Sequence, residues 1–178
     1  MTNFYNYINE KKMLKSTMIG FGLTKSNIEK ISKYIESWLI KFNIKYEKIT
    51  EHHVSIAQIT DTIQKDEFVR LMNEINQKNY NFRPLKYTIL KGRLNDFIAI
   101  ELDRTKEYID LYNKIKSIYN VVEFKGGMKP HISLFKLDFN AISDYDMAEI
   151  LKNVPKLNPI SAKKLELWNN KFKIEYSK

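Results

Sequence analysis

The chain has 178 residues, with 30 Lys and Arg against 21 Asp and Glu, a formal charge of +9 and a pI near 9.4. That length fits one domain or two intimate halves, and 43% apolar residues with 2 Trp, 11 Tyr and 10 Phe exclude a disordered chain. The absence of cysteine excludes disulfides, thiolate nucleophiles and Cys-based zinc sites. No apolar run approaches the ~20 residues of a membrane helix, and the polar start MTNFYNYINEKK lacks the apolar core of a signal peptide. A soluble, cytoplasmic protein with no membrane partner is therefore expected.

Residues 1–16 mix aromatic and charged side chains without a clean period and read as an N-terminal arm to a single domain spanning 17–178. Met18 to Leu23 reads as a strand weakened by Gly20 and Gly22. Thr24 and Ser26 are N-cap candidates for a helix over 27–42, in which Ile28, Ile31, Tyr34, Ile35, Trp38, Leu39 and Phe42 recur at three and four. A β-branched strand follows at 53–59. Asp61 and Thr62 are placed to cap a helix over 63–79, with Phe68, Leu71, Met72 and Ile75 inward.

Two strands, 85–91 and 96–103, flank a hairpin at Gly92 to Asn95. The order then begins again: a helix at 105–119, a loop containing Gly126 and Gly127, a strand at 131–137, a helix at 143–152, and strands at 162–168 and 171–176. Helix, histidine-bearing strand, helix and strand pair thus occur twice, with repeats at roughly 24–103 and 104–178. Two copies of one unit commonly pack about a pseudo-twofold axis, so equivalent strand positions face a common cleft.

Those positions carry the same pattern, His53-Val54-Ser55-Ile56 and His131-Ile132-Ser133-Leu134. Alternate strand residues share a face, so each strand presents an imidazole and a hydroxyl on one surface and aliphatics on the other. A single His-x-Ser means little; two copies in matching elements, using two of only three histidines, point to a site. His52 has the opposite phase and reads as structural or exposed.

The chemistry suits phosphodiester cleavage without a metal or cofactor. One imidazole can take a proton from an attacking water or ribose hydroxyl and the other can give one to the leaving oxygen. Serine hydroxyls and backbone N–H groups can hold the non-bridging oxygens. The positive balance favours a nucleotide or oligonucleotide substrate, although Lys-rich solvated helix faces would give the same charge. No Gly-x-Ser-x-Gly, His-Glu-x-x-His, Walker loop or complete Gly-x-Gly-x-x-Gly occurs.

On these two motifs, and on the element order from about 17 to 177, the chain resembles the two-histidine (2H) phosphoesterase superfamily, which contains RNA ligase-like enzymes and cyclic phosphodiesterases. The resemblance implies a bilobal α+β fold with two antiparallel sheets facing a central cleft and helices outside. It also implies that His53 and His131 are catalytic and that Ser55 and Ser133 bind phosphate. Members act on cyclic nucleotides, 2′,3′-cyclic RNA ends, 2′,5′ linkages, or cyclic oligonucleotide messengers. The compact single domain and the Phe21-Gly22-Leu23-Thr24 entry look most like the phage anti-CBASS type, which would place the protein in host cytoplasm. A non-catalytic nucleotide-sequestering protein and a basic structural protein are the readings of other classes.

For substrate contacts, Lys129 stands immediately before Pro130 and His131, and Phe135 shares the phase of His131 and Ser133 in a regular strand. Phe21 and Trp168 lie near strand ends and are weaker candidates for base stacking. Trp38, on a helix stripe, reads as core. No obligate protein partner is implied.

Overall fold

The computed structural model describes residues 17–23, 26–61, 63–92, 94–123, 128–152, 154–168 and 174–176. The expected arm at 1–16, the Thr24 and Thr62 caps, the Lys125-Gly126-Gly127 stretch and the start of the last strand at 171–173 lie outside the described residues.

The elements are β1 (Thr17–Leu23), α1 (Ser26–Lys41), β2 (Tyr46–Lys48), β3 (His53–Ile59), α2 (Lys65–Ile75), β4 (Asn81–Phe82), β5 (Pro84–Lys91), β6 (Asn95–Leu102), α3 (Lys106–Ile118), β7 (His131–Asp138), α4 (Asp144–Lys152), β8 (Ile160–Trp168) and β9 (Ile174–Tyr176). The fold is α+β, with two antiparallel sheets as expected. One runs β3-β1-β8-β4 with β9 beside β8, and the other runs β2-β7-β6-β5. Each sheet draws strands from both of the stretches 24–103 and 104–178, so neither stretch makes a sheet alone. No helix among the described residues is long and apolar enough to cross a membrane.

Periodicity locates the helices because each has one buried stripe. In α1, Ile28, Ile31, Ile35 and Leu39 are buried while Glu29, Lys30 and Lys33 are exposed. Trp38 is only partly buried: it stacks on Phe42 at 5.6 Å, with the Lys41 ammonium 4.5 Å from its ring. Thr105 caps α3 by accepting from the Tyr108 N–H, and Ser143 caps α4 through the Asp146 N–H. Asp61 does not cap α2. Its carboxylate instead accepts from the backbone and side-chain nitrogens of Asn120, and α2 begins at Lys65.

The junction between the sheets is made by residues 49–52. The Ile49 N–H donates to the Leu134 carbonyl at 3.0 Å, extending the β2–β7 pairing, and the Leu23 N–H donates to the His52 carbonyl at 3.2 Å, joining the chain to β1. Between these bonds the His52 side chain, 8% exposed, places Nδ1 3.3 Å from the Ser133 carbonyl. A carbonyl only accepts, so Nδ1 carries the proton and donates. His52 is thus the structural histidine, and it ties the two motif-bearing strands together.

His52→Ala leaves a cavity and an unpartnered carbonyl acceptor, that of Ser133, at this junction. It should lower unfolding free energy by about 1–3 kcal/mol in urea denaturation. His52→Asn, whose amide can donate to the same carbonyl, should recover part of that loss.

Candidate active site

His53 opens β3 and His131 opens β7, and the two strands lie side by side as the facing strands of the two sheets. The two motifs sit in corresponding ladder registers with different partners. In the first sheet, Gly22 pairs with His53 and Gly20 with Ser55. In the second, Glu101 pairs with His131 and Ala99 with Ser133.

Immediately after each serine the register slips by one. Gly20 opposes Ser55 while Ile19 opposes Ala57, so Ile56 is the extra residue; Ala99 opposes Ser133 while Ile98 opposes Phe135, so Leu134 is the extra residue. Both motif strands therefore carry a β-bulge at the fourth motif position. The repeat seen in the sequence extends to backbone irregularity.

The bulge corrects one expectation. It reverses the side-chain phase beyond Leu134, so Phe135 joins the Ile132 face, fully buried with an edge contact to Tyr46 at 5.5 Å, and does not line the site. Lys136 takes its place on the His131 face, ion-paired with Glu47. Phe21 is likewise a core residue, packed on Tyr80 and Phe82 on the opposite face of β1 from His53. Trp168 is at the site, but as a support: it is 3% exposed, and its ring lies 4.7 Å from the His53 imidazole. The Lys129 side chain is exposed, and its backbone carbonyl is what reaches His131.

The two imidazoles are held alike. His53 Nδ1 lies 3.3 Å from the Glu51 carbonyl and His131 Nδ1 lies 2.9 Å from the Lys129 carbonyl, in each case the residue two before. Both Nδ1 atoms must carry the proton to donate, so in each neutral ring the lone pair is on Nε2. Burial holds both imidazoles below the usual histidine range of about 6.5. For His53 the bond to Glu51 opposes this, while the charges of His131 and His52 reinforce it. For His131 the bond to Lys129 and the carboxylate of Glu101 oppose it. Neither serine hydroxyl has a partner among the described residues. Among those residues, no group of three or more His, Asp or Glu is placed to hold a metal ion.

Sequence reasoning offered Trp168 only as a weak stacking candidate and gave Gly20, Gly22 and Glu166 no part in the surroundings of His53. Gly20, Gly22, Glu166 and Trp168 share its face of the sheet. A Cβ on Gly20 would come within 2.2 Å of the Val54 carbonyl and 2.7 Å of the Trp168 ring. Of the glycines read as strand weakness, Gly20 is the clearance that lets Trp168 lie beside His53, and Gly22 leaves room for the Glu166 carboxylate. The i, i+2 spacing of Glu166 and Trp168 was the available signal.

Gly20→Ala should therefore cost about 1–3 kcal/mol of stability, measured by denaturation, because the added methyl meets backbone on one side and an aromatic ring on the other. NMR titration should give midpoints below 6.5 for both His53 and His131. Their folded forms resist the proton, so the stability they confer is present above the unfolded value near 6.5 and falls as pH drops below it.

No family model and no curated protein sequence matches the chain. Among solved structures it is similar to Kluyveromyces marxianus Usb1, with a TM-score of 0.56 and 11% identity over 86% of this chain and 93% of that one. Against the same protein with uridine monophosphate, the TM-score is 0.58 with 9% identity over 92% and 96% of the two chains. The MHV ns2 PDE domain also matches, with a TM-score of 0.47 and 15% identity over 84% of this chain and 98% of that one. Paired bulged strands, each opening on a histidine, thus sit in an α+β fold that the chain shares with Kluyveromyces marxianus Usb1.

Proposed function

We propose that the protein is a metal-independent phosphodiesterase acting on nucleotide substrates, with His53 and His131 as its acid–base pair. The observation that carries this reading is the matched pair of imidazoles, each oriented through Nδ1 by the carbonyl two residues earlier. The fold shared with Usb1, a structure of which holds uridine monophosphate, supports a nucleotide ligand.

In the reaction, one neutral imidazole accepts at Nε2 the proton of the attacking water or ribose hydroxyl, whose oxygen bonds to phosphorus. The opposite P–O bond breaks, and the protonated partner imidazole gives its proton to the leaving oxygen. Each turnover leaves the pair with one proton in total, exchanged between the rings. The hydroxyls of Ser55 and Ser133 donate to the non-bridging oxygens, where negative charge builds in the transition state. The overall charge of +9 draws the polyanion in.

Within this class we place the substrate among cyclic nucleotides and cyclic oligonucleotide messengers, a role consistent with phage evasion of CBASS-type defence. Cleavage of 2′,3′-cyclic or 2′,5′ RNA ends is the alternative, because the same two-proton transfer serves any of these linkages.

His53→Ala and His131→Ala should each reduce cleavage by about 10²–10⁴-fold in EDTA with circular dichroism unchanged, and a mass-spectrometric panel of cyclic di- and trinucleotides, 2′,5′-oligoadenylate and 2′,3′-cyclic ends reads both rate and substrate. Wild-type activity in either variant would overturn the assignment. Tight binding of a panel member without product would establish a sequestering protein instead.

A further inference from the structure

The carboxylates of Glu36, Glu47, Asp96 and Glu101 are each ion-paired with a lysine. Glu166 differs. It is partly buried on β8, on the face that carries His53, and it makes no hydrogen bond or ion pair among the described residues. Burial and the nearby Glu51 push its carboxyl above the usual range, against the influence of Lys163. A carboxylate partly withdrawn from water without a partner is costly to the fold and is characteristic of groups that meet a ligand.

Two further features give Glu166 a place to act. It lines a cavity of about 170 Å³ together with Gly22, Glu51, His53, Lys163 and Trp168. That is well below the ~300 Å³ at which whole small-molecule pockets begin, so the cavity accommodates part of a ligand beside His53. The carboxylate also lies directly over Gly22: a Cβ there would stand 2.6 Å from Oε1 and 2.9 Å from Oε2. Only glycine at position 22 lets the carboxylate rest against the strand beside the imidazole.

We infer that Glu166 is a specificity-determining residue, whose carboxylate accepts a hydrogen bond from a donor on the nucleoside at the His53 side of the phosphate. The donor is a ribose hydroxyl or an exocyclic amine; both present N–H or O–H to an acceptor-only group. The inference deepens the phosphodiesterase reading and rests on it for the position of the phosphate.

Binding tests it without requiring turnover. The probes are nucleoside 5′-monophosphates in matched pairs, measured by calorimetry on the full chain: adenosine against 2′-deoxyadenosine for the hydroxyl, and adenosine against inosine and cytidine against uridine for the amine. The wild type should prefer the donor-bearing member of at least one pair by about tenfold or more, since a site built around a charged acceptor penalises a ligand lacking the donor. Glu166→Gln should reduce that preference to less than about twofold, and the affected pair identifies the donor. Gly22→Ala, which displaces the carboxylate without removing its charge, should do the same. A wild type that binds none of the probes or discriminates no pair, or variants that keep the wild-type ratios, overturns the inference. Failure of the phosphodiesterase reading shows separately, as wild-type cleavage in the His53→Ala or His131→Ala protein.

Discussion

The arrangement of the site depends on how the chain crosses from one sheet to the other. Residues 49–52 leave the edge of one sheet, hydrogen-bonded to the Leu134 carbonyl, and enter the other through the bond from Leu23 to the His52 carbonyl. The buried imidazole of His52 spans the junction to the carbonyl of Ser133. Two strands of different sheets would otherwise be free to slide or splay, because no ladder joins them. This crossing sets the separation of β3 and β7, and so of His53 from His131. From the other side, the Tyr108 hydroxyl of α3 donates to the Ser55 carbonyl at 3.2 Å and fixes β3 against its helix. Both motif serines thus have backbone carbonyls held by side chains from neighbouring segments, while among the described residues their hydroxyls stay unengaged.

The same architecture sets the electrostatics. Putting the imidazoles on strands at the junction removes water from around them, and that desolvation outweighs the carbonyls and carboxylates that favour protonation. In each ring Nδ1 donates to a backbone carbonyl, so Nε2 is the nitrogen at which a proton is gained or lost. The surroundings are not identical: His131 faces Glu101 across the ladder, while His53 faces Gly22, with Trp168 against its ring. One member of the pair has a neighbouring carboxylate and the other an aromatic support and a cavity. The net charge acts at longer range, and salt screens it.

The helices and long strands were legible because burial imposes its period on sequence, and the paired His-x-Ser motifs because alternation puts both groups on one face. The short strands β2 and β4 were not legible: two or three residues with a single apolar contact, such as Phe82, leave no period to read. Phe135 was misplaced because alternation assumes a regular ladder, and the bulge at Leu134 is a property of the pairing between β6 and β7, not of either strand alone. Gly20 and Gly22 were visible, but their purpose depends on Trp168 and Glu166 more than 140 positions later, brought opposite by the β1–β8 pairing. His52 was given the correct phase; that it would bridge two sheets could be known only from the topology.

The central claim is that both motifs close on one phosphate. A crystal structure of the protein soaked with uridine 5′-monophosphate tests this directly. The account predicts a single phosphate with oxygens about 2.6–3.2 Å from both Nε2 atoms and from the hydroxyls of Ser55 and Ser133. A phosphate bound by one motif alone, or held elsewhere on the surface, would contradict it.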